Sequence, residues 1–207
     1  MTVLDDRSIF AAMKKSDKRS EILSIGTEMI ALQGYNGTGI DAVLKRAGVP
    51  KGSFYHYFGS KEDFGLAIID QFAARYDQYL ASFLDDTSFA PLDRIRNYLE
   101  RVLAYLTGTN FAKGCLIGNL GQELADQNER FRERLDQIFH SWKERFAACL
   151  EEAQKQGELT PRCDPAVIAG FFLSGWEGAI LRAKVMKSPQ PLRDFIDTMY
   201  AAVLVAK

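Results

Sequence analysis

Residues 38–64 read TGIDAVLKRAGVPKGSFYHYFGSKEDF, and where the chain breaks within them decides the fold. Ile40 to Ala47 carries a helical period that Gly48 stops. Pro50 then sits in the first turn of a second short helix, where its missing N–H costs nothing. Ser60, with Asp63 three residues on, opens a third and longer helix in the manner of a capping box. Two short helices across a glycine turn, Ala47-Gly48-Val49, packed on longer neighbours, make a helix-turn-helix running from Thr38 to Lys61.

Outward from this stretch the helical period continues in both directions, and no segment alternates like a strand. Upstream, Ile22, Ile25, Met29 and Leu32 place an apolar stripe on a helix that follows the basic run KKSDKR and ends at Gly34. Downstream, the helix from Ser60 has Phe64, Ile68, Phe72, Tyr76 and Phe83 as its buried face and ends near DDTSFAP. Pro91 starts a helix with Leu92, Ile95, Leu99, Val102 and Leu106 inward. The glycine-rich GTNFAKGCLIGNLG leads into a short helix through Leu124, and a long amphipathic helix covers residues 128–156 with Phe131, Leu135, Trp142, Phe146 and Cys149 inward. Asp164-Pro165, an N-cap followed by a first-turn proline, opens a helix to about Lys187, and a last one spans Pro191 to Val205. The expectation is an all-α chain of about nine helices: an N-terminal DNA-binding head, residues 1–62, and a C-terminal regulatory and dimerisation body, residues 63–207. The helix from Ser60 joins the two without a flexible linker.

Charge separates the two parts. Residues 1–61 hold nine Lys and Arg against six Asp and Glu, a net of +3; the remainder holds 17 against 21, a net of −4. A basic head on an acidic body suits a protein that presents one end to phosphate. Cys115, Cys149 and Cys163 are an odd number at wide spacing, against a disulfide framework or a zinc site. The first residues, MTVLDDRSIF, lack a basic start followed by an apolar core, so no secretory leader is expected. No uninterrupted apolar run approaches the roughly 20 residues of a membrane span. Cytoplasmic placement, no membrane association, no metal and no cofactor are the expectations.

The second helix of the motif is dense in groups that reach DNA. Lys51 and Ser53 can meet base edges or phosphates, Tyr55 and Tyr57 combine an apolar body with a hydroxyl, and Gly52 leaves room for close approach to the groove. Lys61 joins the exposed N–H groups at the start of the next helix, which favour an anion. Phe54 and Phe58, four apart, are assigned to the core. The stretch resembles, residue by residue, the signature of the TetR family of one-component transcriptional regulators. That resemblance implies that the second helix of the head and the Lys51 to Tyr57 helix dock on double-stranded palindromic operator DNA, with Lys61 on a phosphate. Gly39 departs from the family, which usually has Thr or Ser there; Thr38, one position earlier, is expected to substitute in part.

The resemblance also implies a homodimer built from the last two helices of each subunit. Phe171, Phe172, Trp176, Ile180, Phe195, Met199 and Val203 offer more apolar surface than one subunit is expected to bury, and Gly170, Gly175 and Gly178 allow close helix approach. Within the body, KGCLIGNLGQELAD (113–126) and GWEGAILRAKVMKSPQPL (175–192) resemble the branch of acrylate-responsive (AcuR) and electrophile-responsive (NemR) repressors. By that likeness Cys115 is the sensing thiol for a small-molecule inducer and Lys184 a charged neighbour that favours its thiolate. Trp176, Glu177, Asn119 and Gln122 are candidate pocket residues. The competing reading of the same residues is plain packing, with Cys115 a small buried hydrophobe and Lys184 reaching solvent along its stem. Cys149, on the Trp142/Phe146 stripe, is read as packing and Cys163 as incidental. Rival functions are a regulator whose non-covalent pocket takes bulky compounds, and a thiol enzyme using Cys115. Against an enzyme, His56 and His140 lack a recognisable nucleophile or orienting carboxylate.

Overall fold

The computed structural model describes residues 18–161 and 164–204. Among these residues the regular structure is helical: α1 Lys18–Gln33, α2 Ile40–Ala47, α3 Lys51–Tyr57, α4 Lys61–Leu84, α5 Pro91–Gly108, α6 Leu116–Leu124, α7 Glu129–Lys155, α8 Pro165–Met186 and α9 Gln190–Thr198. A single π turn, Met199–Val203, follows α9. The opening MTVLDDRSIF, most of KKSDKR, Cys163 and Val205 lie outside the described residues. Contacts group the chain into two compact units, residues 1–68 and 69–207.

In the first unit the buried face of α1 is Ile22, Leu23, Gly26 and Ile30. The expected stripe is thus corrected: Ile25 and Met29 are only half-buried and Leu32 is 57% exposed. Gly26 explains the rotation, since a Cβ there would overlap the ring of Phe64 and the side chain of Ile68. Gly48 makes the turn between α2 and α3 in the left-handed region, φ 63°, which glycine adopts without steric cost. Val49 N–H donates to the Leu44 carbonyl at 3.0 Å and closes the helix end. Pro50 is the N-cap of α3 and stands just outside the first turn rather than within it. Phe54, Phe58 and Phe64 form a cluster of tilted and edge-to-face rings with centroids 4.9–5.4 Å apart, which seats α3 on the start of α4. Ser60 accepts from Asp63 N–H at 3.0 Å and donates to the Asp63 carboxylate at 2.8 Å, so the expected cap forms.

The second unit is a bundle of the remaining helices, with α8 packed on α7 and α9, and α5 and α6 also on α7. Phe72, Tyr76 and Phe83 are half-buried, while Ile69, Leu80 and Leu84 take the deepest positions on their helix. Arg94 is the unit's one fully buried cation among the described residues. Its guanidinium donates to both Glu152 oxygens (2.8 and 3.2 Å) and to the carbonyls of Phe89 and Leu84. Asn128 starts α7 by accepting from Phe131 N–H at 3.1 Å through its side-chain oxygen. Helix α8 is apolar and long enough by composition to cross a membrane, yet Phe172, Trp176 and Ile180 are buried in the bundle core. Its exposed positions include Val167, Phe171, Ser174, Gly178, Leu181 and Val185, alternating four and three residues apart. This corrects the expected surplus surface: Phe172, Trp176, Ile180 and Met199 belong to the chain's own core, and only Phe171 of the expected set is exposed. Gly175 admits the Phe195 ring, 2.6 Å from where a Cβ would lie, whereas Gly178 opens outward.

Candidate functional site

Two regions carry the sequence-predicted site residues, one in each unit. In the first, α3 presents Lys51, Gly52, Tyr55 and His56 to solvent, with Ser53 and Tyr57 half-exposed, while Phe54 and Phe58 point inward as assigned. Glycine at position 52 leaves open space around its Cα, so backbone or groove atoms can come close. Lys51 is not free: its ammonium lies 3.0 Å from a carboxylate oxygen of Asp41 on α2. That hydrogen bond and its charge raise the Lys51 pKa above the ordinary lysine value. Nothing in the local pattern singles out Asp41, since an acidic residue in a first helical turn is favoured by the helix dipole alone. Lys61 sits over the Tyr35 ring, 4.6 Å from its centroid, at the start of α4.

Thr38 is placed differently from expectation. It is only 2% exposed, and its hydroxyl donates to the Gly34 carbonyl at 2.6 Å and accepts from Gln33 Nε2 at 3.3 Å. The side chain ties the turn between α1 and α2 and is turned away from solvent, so it is no substitute for a phosphate-binding cap. Gly39 is the N-cap of α2, extended at φ −82° and ψ 141°, with no side-chain cap and nothing within 4 Å of a built Cβ. Gly39→Ser is therefore expected to supply the missing cap, adding roughly a few tenths of a kcal/mol of stability. It should also tighten DNA binding, because the new hydroxyl stands at the exposed end of α2. Thermal melts and operator titrations check this; an unchanged affinity would mean that the end of α2 stays clear of phosphate.

In the second unit, the loop before α6 and one face of α8 enclose a pocket lined by Gly114, Cys115, Gly118, Asn119, Gln122, Glu177, Ile180, Leu181 and Lys184. Its free space is about 10 Å³, the room of one water molecule. Cys115 is the N-cap of α6, its sulfur accepting from Gly118 N–H at 3.4 Å. Asn119 lines the pocket, but its amide is spent on the Lys113 carbonyl at 2.8 Å, fixing the loop. Gly114 holds a positive φ of 69°, and a Cβ there would lie 3.4 Å from Lys184 Cδ, so Lys184 closes the pocket from the side. Trp176 is fully buried outside the lining, with its indole N–H unpaired among the described residues.

The electrostatics reverse one expectation. Burial pushes the Cys115 thiol well above its ordinary value, and the Glu177 carboxylate raises it further; the N–H groups of Gly118 and Ile117 oppose this only in part. Lys184 is not among the causes, so the resting group is a thiol and not a lysine-stabilised thiolate. Cys149 is likewise raised, to about 12, chiefly by burial, and its sulfur donates to the Pro91 carbonyl, in keeping with a packing role. Burial raises Glu177 to about 7, while the Cys115 thiol beside it works the other way. Tyr76 on α4 and Tyr98 on α5, hydroxyls 2.7 Å apart, are close enough to Cys115 and Glu177 for their own ionisation to be pushed up by both. The helical period places Tyr76 in the core and gives no sign of Tyr98; no spacing rule distinguishes a buried phenol that serves a site from one that packs.

The largely desolvated Glu177 carboxyl makes stability depend on pH. The folded state holds the Glu177 proton more tightly than the unfolded chain does, so ionisation penalises the fold. Below about pH 4.5 both states are protonated and the penalty is absent; above about 7 it is fully present. Glu177→Gln is expected to remove that loss and raise stability at pH 8 by on the order of 2 kcal/mol, with little gain at pH 5. Urea titrations at the two pH values check the sign; a variant less stable at pH 8 would contradict a buried, proton-favouring site.

Comparison with known proteins bears on both regions. Residues 22–68 match the family described as bacterial regulatory proteins, tetR family, and residues 91–199 the family described as tetracyclin repressor-like, C-terminal domain. The chain is 44% identical over 181 residues to the transcriptional regulator AcuR of Cereibacter sphaeroides, covering 86% of this chain and 81% of that one. It is 34% identical over 178 residues to the HTH-type transcriptional repressor NemR of Escherichia coli K12, covering 86% and 89%. The crystal structure of the reduced form of E. coli NemR superposes with a TM-score of 0.82 at 32% identity, covering 92% of this chain and 98% of that chain. The crystal structure of regulatory protein TetR from Rhodobacter sphaeroides gives 0.84 at 42% identity, covering 88% and 97%.

Proposed function

The chain belongs to the TetR family of transcriptional regulators, and from that membership we propose that it represses by binding a palindromic operator as a homodimer and lets go when a small reactive molecule reaches Cys115. The family is one of DNA-binding regulators and not of enzymes. The inducer belongs to the α,β-unsaturated carbonyl class, acrylate or a related electrophile. The observation that carries this reading is the pocket itself: a thiol and a carboxyl, both half-buried, and a lysine face a space with room for one water.

DNA contact is assigned to Gly39, Lys51, Gly52, Ser53, Tyr55, Tyr57 and Lys61. The exposed stripe of α8, from Val167 to Val185, supports the dimer, since its spacing is that of a helix seam. Two heads in one dimer would read half-sites about 34–36 Å apart. Regulation of this kind places the protein with the DNA, in the cytoplasm. The inducer acts by binding one conformational state better than the other.

The test is a gel shift on the protein's own upstream DNA with and without acrylate and N-ethylmaleimide. Operator binding should weaken steeply with salt, by a log–log slope of about −0.9 for each phosphate neutralised. Both reagents should release the wild type, and N-ethylmaleimide should fail on Cys115→Ser. Equal release of the two proteins would sink the covalent reading, and absence of salt-dependent binding to any palindromic site would sink the regulator reading.

A further inference from the structure

We propose that Glu177 is the proton acceptor for Cys115, taking the thiol proton as the sulfur attacks the inducer's double bond. This rests on the reading of Cys115 as the reacting group, and it goes further by naming what makes a half-buried, desolvated thiol reactive. Position 118 is the geometric key. A Cβ at Gly118 would overlap a Glu177 carboxylate oxygen and lie 3.6 Å from Cys115 Cβ, so glycine lets the carboxylate press against the first turn of α6 beside the thiol. The thiol and that carboxylate line the same pocket and are coupled electrostatically, each shifting the other's ionisation. The groups facing Glu177 from its surroundings are Cys115 at the start of α6, Tyr76 on α4 and Tyr98 on α5. Lys184, seven residues along α8, lines the same pocket. Glu177 is the one carboxylate in the pocket lining among the described residues, and the two phenols stay protonated near neutral pH and supply no phenolate base.

The step balances without an oxidant. The Cys115 S–H proton passes to a Glu177 oxygen as the sulfur forms a bond to the β-carbon of an α,β-unsaturated carbonyl. The π electrons of the double bond move toward the carbonyl oxygen as an enolate, and the Glu177 carboxylic acid returns the proton to the α-carbon. The product is a thioether with Glu177 again ionised. Concerted transfer avoids forming a free thiolate, which this site disfavours. A base that titrates near neutrality is matched to such a transfer.

A simple electrostatic effect would have the opposite sign, which makes the proposal testable. If Glu177 only repels a developing thiolate, removing its charge should speed the reaction. The experiment follows N-ethylmaleimide addition by site-resolved mass spectrometry on the full-length wild type, Glu177→Gln and Gly118→Ala from pH 5.5 to 9, with circular dichroism on each. For wild-type Cys115 the rate should rise through an inflection near pH 7. In Glu177→Gln that inflection should vanish, and the rate at pH 7.5 should fall by about tenfold or more. Gly118→Ala, which displaces the carboxylate without removing it, should show the same loss. A Glu177→Gln rate equal to or above wild type at pH 7.5 overturns the assignment of Glu177 while leaving Cys115 as the sensor. Failure of folded wild type to label Cys115 at any pH overturns the sensor reading itself.

Discussion

Phe54→Ala is expected to lower the stability of the DNA-facing unit by about 3–5 kcal/mol and to abolish operator binding with it. Phe54 is wholly buried, and its ring meets both Phe58 and Phe64. Truncation would leave a cavity at the cluster that seats α3 on α4, in a unit too small to spread the loss. Tyr55→Ala, one residue along, should behave in the opposite way. Its ring is 55% exposed, so stability should change by less than about 0.5 kcal/mol while operator affinity falls. Denaturation curves paired with gel shifts separate the two cases. If Phe54→Ala kept wild-type stability and lost only DNA affinity, its assignment to the core would be wrong.

Arg94→Ala is expected to cost about 3 kcal/mol with no direct effect on DNA contacts. The guanidinium is 4% exposed, pairs bidentately with Glu152 and also caps the carbonyls of Leu84 and Phe89, at the end of α4 and before α5. Removing it strands those acceptors and leaves Glu152 without its cation. The cost stays at the low end because Glu152 is 41% exposed and water can take over part of its solvation. Glu152→Gln should cost less, since the backbone carbonyls and one amide oxygen can still accept from the guanidinium. Urea unfolding of both variants checks the order; an Arg94→Ala protein as stable as wild type would show the network to be dispensable.

Much of the architecture is legible in the chain because it depends on local rules. Gly48, Ser60, Asn128 and the Asp164-Pro165 pair mark helix ends through backbone geometry and capping hydrogen bonds, and each acts there as its residue type requires. Less legible is anything decided by a partner distant in sequence. The α1 stripe turns because the Phe64 ring occupies the space beside Gly26, 38 positions away. The surplus apolar face of α8 moves to Val167, Phe171, Leu181 and Val185 because Phe195 and the bundle core claim the neighbouring rings.

By itself the sequence determined the helix-turn-helix, the order of the helices and the family, since periodicity, caps and a contiguous motif are properties of neighbours along the chain. It also singled out Lys51 and Cys115 as groups with chemistry to offer. The state of those groups is set by contacts that form on folding. Asp41 pairs with Lys51 from the neighbouring helix, and Glu177, 62 positions from Cys115, helps to set that thiol's protonation. The physical reason is that charge and desolvation act through space. A residue's type fixes what it can do, and its neighbours in space fix the pH and the partner with which it does it.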